Sequence, residues 1–262
     1  MTQEAEAERG SHHLVVDLPS AGPDPIPFGT ALAAVLGYAR GRRPIRVRTP
    51  SHPDGRWVQI AAFGYSLFDA HPGTDFPLGE VDILVAEGLF GRLDRDSWAE
   101  ARDALERARP LADQAVARAA GRAFWELPDD EVSVLGEPGT VGSVLRELRG
   151  ATPGLPTGFV GAALHHRRPA LFPLLSDATM RRLGAHMREG DSGVEAVVHR
   201  ELRDAAAAFA ALEDDAASLL DVPLTRLRLH DVLLWLSGTL RLTHAVALGE
   251  VTEEWQRHRA LR

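Results

Sequence analysis

The stretch GVEAVVHRELRDAAAAFAALEDDAASLL, Gly193 to Leu220, predicts the longest helix in the chain. Val194, Val197, Val198, Leu202, Phe209 and Leu212 recur at helical spacing, so one face is apolar while the rest is charged or small. Around this element the same periodicity predicts shorter helices. Phe28, Leu32, Val35 and Leu36 fit a helix from Phe28 to Tyr38, and LGEVDILVAEGLF fits a short, largely buried one from Leu78 to Phe90. Ser97-Trp98-Ala99-Glu100 has the form of a capping box, predicting a helix to about Arg109; Pro110 then breaks or kinks it before a second helix through Phe124 and Trp125. Further helices are expected at Val141–Leu148, Gly158–His166, Ala178–Arg188 and Leu224–Leu236, with a charged one around Trp255.

One region departs from this period. RPIRVRTP and RWVQIAAF, rich in β-formers around the turn signal SHPDG, predict a β-hairpin from Arg43 to Phe63 as the only substantial sheet element. YSLFDAHPGTDFP reads as loop. The Pro-Gly clusters at Glu137–Thr140 and Thr152–Gly158 are the best internal breaks but too short to separate domains. The expectation is a disordered tail over residues 1–13, then a single mainly α, multi-helix domain over residues 14–262 with a small N-terminal β-hairpin.

Composition narrows the chemistry. The 262 residues are 45% apolar, enough for a sizeable core. There is no cysteine, which removes thiolate nucleophiles, disulfides, iron–sulfur clusters and cysteine-ligated zinc. There is also no lysine, so all 29 basic residues of the Lys+Arg count are arginine. That excludes a Schiff-base lysine and the phosphate-binding lysines of P-loop and kinase folds. A net charge of −8 argues against a protein that coats nucleic acid non-specifically. The acidic MTQEAEAERGSHH start does not read as a signal peptide, and the most apolar run, VLLWLSGTLRLTHAVAL, is interrupted by Arg241 and His244. A cytoplasmic location and no membrane partner are the default expectations.

Charge is unevenly spread. Between Val141 and Arg188 seven arginines stand against Glu147 and Asp177, a balance of +5 that leaves −13 for the rest. Within it, LHHRRPALFPLLSD, Leu164 to Asp177, and the following Arg181 and Arg182 make an Arg-rich region. His165, His166, Arg167, Arg168, Arg181 and Arg182 are candidate contacts to an anionic partner, including nucleic acid, because guanidinium groups near helix starts suit phosphate and carboxylate. A solvated face paired to acidic helices is the alternative. No metal or other cofactor is expected: adjacent His165 and His166 point about 100° apart on a helix, and HExxH is absent. His71 with Asp69 and Asp75 reads as a turn. GxSxG and GxGxxG are absent as well. Ser176 or Asp177 is expected to cap the helix that follows, and a carboxylate there, beside arginines, is expected to be ionised.

Two resemblances add to this reading. DILVAEGLF (Asp82–Phe90), LHHRRPALFPLLSD (Leu164–Asp177) and LTRLRLHDVLLWL (Leu224–Leu236) resemble three blocks of an uncharacterised actinobacterial domain-of-unknown-function family, matching it at Asp82, Arg168-Pro169, Asp177, Arg228, Asp231 and Trp235. Locally, TPGLPTGFVGAALHHRRPALFPLLSDATMRRL (Thr152–Leu183) is similar in layout to the helix-hairpin-helix segment of base-excision DNA glycosylases. That resemblance implies Pro153 and Gly154 in a DNA-backbone hairpin and Asp177 as the catalytic carboxylate of a monofunctional enzyme that stabilises an oxocarbenium-like sugar. The leading expectation is a helical domain whose Arg167–Arg188 region binds an anion. The alternatives are a hydrolase using Asp177 and an interaction scaffold using the Trp235 or Trp255 helices.

Overall fold

One helix near the C-terminus organises the molecule, because nine of its thirteen residues are buried. The computed structural model describes residues 14–71, 73, 77–150 and 158–260; the expected N-terminal tail and Pro153-Gly154 lie outside the described residues. In chain order the elements are β1 (Val15–Val16), β2 (Ile26–Pro27), α1 (Phe28–Arg40), β3 (Arg42–Thr49), β4 (His52–Ala61), α2 (Glu80–Phe90), α3 (Arg95–Ala119), α4 (Val141–Gly150), α5 (Phe159–Arg167), α6 (Asp177–Gly184), α7 (Val194–Asp204), α8 (Ala206–Leu219), α9 (Arg226–Gly238), α10 (Leu242–Glu250) and α11 (Glu253–Ala260). The fold is mainly α, as expected, with two small antiparallel pairs, β1–β2 and β3–β4.

The buried helix is α9, with α1, α6, α7, α8 and α10 packed around it. The sequence RLRLHDVLLWL has no polar stripe, so Arg228, His230 and Asp231 lie in the interior with their apolar neighbours and must find partners there. A second group forms beside this one: α2 packs on α5, and α3 runs along α2, α4 and α5.

Several boundaries differ from those that periodicity predicts. The long helix is two: Ala205, with φ −101° and ψ 27°, separates α7 from α8. No proline or glycine stands there, so packing rather than a local breaker sets the break. Pro110 does the opposite of what is expected, lying inside an unbroken α3. The buried face Ala101, Ala104, Leu105, Ala108, Ala112, Ala115 and Ala119 continues past it, and this packing holds the helix together at the proline. The cap of α3 is Asp94, whose carboxylate accepts the Ser97 amide at 2.8 Å, not Ser97 itself. The run ends at Ala120, which caps α3 in the left-handed region at φ +51°, followed by Gly121 at φ +82°, and Phe124 and Trp125 fall in a separate 3-10 turn. Helix α6 ends at Gly184, short of Arg188, and α10 was not legible as a separate helix.

The β3–β4 hairpin forms where expected, but its turn is Pro50-Ser51, between the paired Thr49 and His52. His52 to Gly55 belong to β4, with a bulge after Val47 and Gly55 at φ +83°.

Candidate functional site

The ionisable residues of α9 define the site. Arg228 and Asp231, three apart, share one helix face, and the guanidinium donates through Nη1 to Asp231 Oδ2. Its Nε donates to Asp69 Oδ1 at 2.6 Å and its Nη2 to Asp69 Oδ2 at 3.1 Å and to the Tyr38 hydroxyl at 2.6 Å. Tyr38 in turn donates to Asp69 Oδ2 at 2.6 Å. The guanidinium also lies over the rings of Tyr38 and Phe68, 5.5 and 5.4 Å from their centroids. Burial alone would favour a neutral arginine; the carboxylates of Asp69 and Asp231 outweigh it and hold Arg228 more firmly protonated.

Asp231 is the unbalanced member. Oδ2 is taken by Arg228, while the buried Oδ1 has no hydrogen-bond partner among the described residues. Burial pushes its carboxyl up to about 6, against the opposing pull of Arg228 and His230. Asp231, Arg228, Tyr38 and Ser176 line a cavity of about 440 Å³ whose apolar walls include Phe63, Leu89, Phe90, Leu174 and Trp235. Exposed Arg43, at the root of the hairpin, and Arg241 line it too. Arg241 stacks on Trp235, 5.1 Å from the ring centroid, and Phe63 meets Trp235 edge-on at 6.0 Å. The cavity therefore combines an aromatic wall, a part-titrating carboxyl and an excess of guanidinium groups. That combination suits an organic anion with a hydrogen-bond donor at its other end.

Arg228, Asp231 and Trp235 of the LTRLRLHDVLLWL block thus converge on one cavity. Asp82 does not; it is fully buried at the start of α2, where it accepts from the Gly79 amide (2.9 Å), His166 Nδ1 (2.8 Å) and Arg167 Nη2 (2.7 Å). His166 Nε2 faces the His71 carbonyl at 3.1 Å, so both ring nitrogens are engaged inside the protein. His165 is buried as well, donating from Nδ1 to the Phe172 carbonyl at 2.8 Å, and burial lowers its pKa to about 4. Neither histidine presents a surface to a partner.

The Arg-rich region divides in the same way. Arg167 is bound to Asp82, and Arg182 reaches the carbonyls of Ala21 (3.1 Å), Ser20 (3.4 Å) and Ser237 (3.5 Å), tying α6 to the N-terminal segment and to α9. Arg168, Arg181 and Arg188 are exposed, so the segment is not one continuous basic face. Ser176 caps α6 through the Thr179 amide, and Asp177 stands exposed beside it, outside the cavity lining. Tyr38, Phe63, Asp69, Arg43 and Arg241 carry no motif in the sequence; the fold alone brings them to the site. Among the described residues no group of three or more His, Asp and Glu is disposed to hold a metal ion, and no single helix is long and apolar enough to cross a membrane.

Another buried carboxylate, Glu201 on α7, accepts from the Ser20 amide and hydroxyl, both at 2.8 Å, and lies 2.8 Å from His230 Nε2. Burial works to raise the pKa values of Glu201 and Asp82, but their donors outweigh it and hold both below the ordinary carboxylate value. A depressed folded-state pKa contributes stability above the unfolded value that is lost as pH falls through the folded one. The urea midpoint is therefore expected to drop steeply below about pH 4, and less steeply in Glu201→Gln, measured by denaturation across pH 3–7.

A family model described as a family of unknown function, DUF6308, matches residues 59–238, more than half of the chain, and the chain belongs to this family. The match takes in α9 with Arg228, Asp231 and Trp235 and begins within β4. No curated protein and no solved structure matches the chain.

Proposed function

We propose that this member of the DUF6308 family is a binding protein for a nucleotide-sized organic anion, held in the cavity between the hairpin root and α9. One observation carries the reading: Asp231 lines an aromatic-walled cavity, and one of its buried carboxyl oxygens has no hydrogen-bond partner among the described residues. A buried polar atom left unsatisfied costs about 1–3 kcal/mol, and a ligand N–H or O–H that meets it recovers that cost. Phe63, Phe90 and Trp235 accommodate a planar body, and Arg43 and Arg241 face its anionic group. A nucleoside monophosphate has all three parts, and in that form the expected anionic partner is the unit of a nucleic acid. The glycosylase-type alternative at Asp177 has the exposure of that carboxylate in its favour, but the cavity lies elsewhere.

Calorimetric titration with the nucleoside monophosphates, with inorganic phosphate as control, tests this. At least one is expected to bind, with Asp231→Asn weakening it at least tenfold, in keeping with the roughly 1–3 kcal/mol above. The donor pairs with the ionised carboxyl, so affinity is expected to fall as pH drops below about 6. Absence of binding by every nucleotide, or an unchanged affinity in Asp231→Asn, overturns the reading.

A further inference from the structure

The β3–β4 hairpin has no role in the core. It projects as a two-stranded ribbon on which every arginine is exposed, together with Trp57 at 66% and Val47 and Val58 at 37% each. An isolated ribbon of this kind gains little stability from itself, and an exposed tryptophan on it contributes nothing to folding. From Arg42 to Ala61 it carries five arginines (42, 43, 46, 48 and 56) against Asp54, a net +4, so the other residues together carry −12. Among the described residues none of these five arginines is in an ion pair, although the chain is acidic overall and pairs arginines elsewhere.

Register places these charges on both faces. Arg46 is paired with Trp57 across the strands, so the two share a face, and Arg42 lies on that face two steps of alternation away. Val47 is paired with Arg56 on the opposite face, which Arg43 shares, and Arg48 sits at the bulge. Two strands about 4.8 Å apart with side chains on either side make a ribbon that fits the roughly 12 Å major groove of duplex DNA. A groove has a phosphate wall on each side; a single strand or a lipid surface offers charge to one face only. The eight residues of β3 extend roughly 26 Å at ~3.3 Å each, enough to follow the groove.

We infer that the β3–β4 hairpin is an arm that binds duplex DNA, with Arg46, Arg48 and Arg56 on its phosphates and Trp57 against the groove. The acidic body repels the same duplex, confining contact to the arm and making it strongly salt-dependent. The site is separate from the cavity, because Arg46, Arg48, Arg56 and Trp57 do not line it.

Fluorescence anisotropy with a labelled 20-base-pair duplex between about 50 and 200 mM salt tests the arm. The full chain is expected to bind at low salt. Arg46→Ser/Arg48→Ser/Arg56→Ser is expected to weaken binding at least tenfold and to lower the salt slope by up to about 3, since each phosphate contact contributes about 0.9. Its thermal midpoint and its nucleoside monophosphate titration are expected to match those of the unsubstituted chain, which separates loss of the arm from unfolding and from failure of the cavity reading. No duplex binding at 50 mM salt, undiminished binding by the triple variant, or tighter binding to a single strand of the same length or to anionic phosphatidylserine vesicles overturns the proposal.

Discussion

Arg228→Met is expected to cost the fold about 3–5 kcal/mol, the loss typical of removing one partner from a buried charge cluster. The methionine fills much of the same volume, so the loss is electrostatic. Four hydrogen bonds disappear, and Asp69 and Asp231, with side chains 3% and 7% exposed, are left as buried acids without their cation. Arg228→Lys is expected to lose less but still substantially, because one ammonium cannot reach both carboxylates and the Tyr38 hydroxyl in the planar geometry of the guanidinium. Adding Asp69→Asn and Asp231→Asn to Arg228→Met recovers part of the loss by removing the stranded charges. Urea denaturation of the four proteins measures these differences; a loss below about 1 kcal/mol for Arg228→Met, the range of an exposed ion pair, shows that the cluster is not the buried unit described here.

Gly249→Ala and Gly37→Ala carry a comparable expected effect with a different origin. Helices α1 and α10 touch through their backbones: a Cβ on Gly37 falls 1.8 Å from the Ala245 carbonyl oxygen, and one on Gly249 falls 1.8 Å from that of Ala33. Backbone cannot rotate aside, so the helices must part and drag neighbouring core side chains with them. In an open helix position the same substitution gains up to about 1 kcal/mol from helix propensity. Here each is expected to destabilise by about 3 kcal/mol or more, at the upper end of overpacking. Gly184→Ala, where nothing lies within 4 Å of the added methyl, is the control and is expected to be neutral or slightly stabilising. Thermal unfolding of the three variants decides the matter, and a neutral Gly249→Ala shows that the crossing is looser than the structure has it.

These two effects show where sequence reading reaches its end. Arg228, Asp231 and Trp235 stand three to seven residues apart, so their common helix is legible from spacing. Asp69 and Tyr38 are 159 and 190 residues from Arg228, and nothing local marks them as its partners. Asp177 sits at a helix start among arginines, where a capping carboxylate is expected, yet Ser176 does the capping. Arg167 and Arg182 read in sequence as contacts to an anionic partner, but a long guanidinium serves as well to satisfy a buried carboxylate or a row of carbonyls, and the sequence does not distinguish the two uses.

The sequence by itself determined the helical class, the position of the hairpin, the excluded chemistries and most helix locations, because these follow from side-chain period and composition within a few turns of chain. Tertiary structure alone decided that Pro110 lies in an intact helix, that Ala205 divides one, and that α1 and α10 meet at two glycines. It also decided which charges are buried. An all-round apolar helix such as α9 states only that its ionisable residues need partners; burial and hydrogen-bond geometry, set by elements distant in the chain, determine that Arg228 is satisfied and that one oxygen of Asp231 is not.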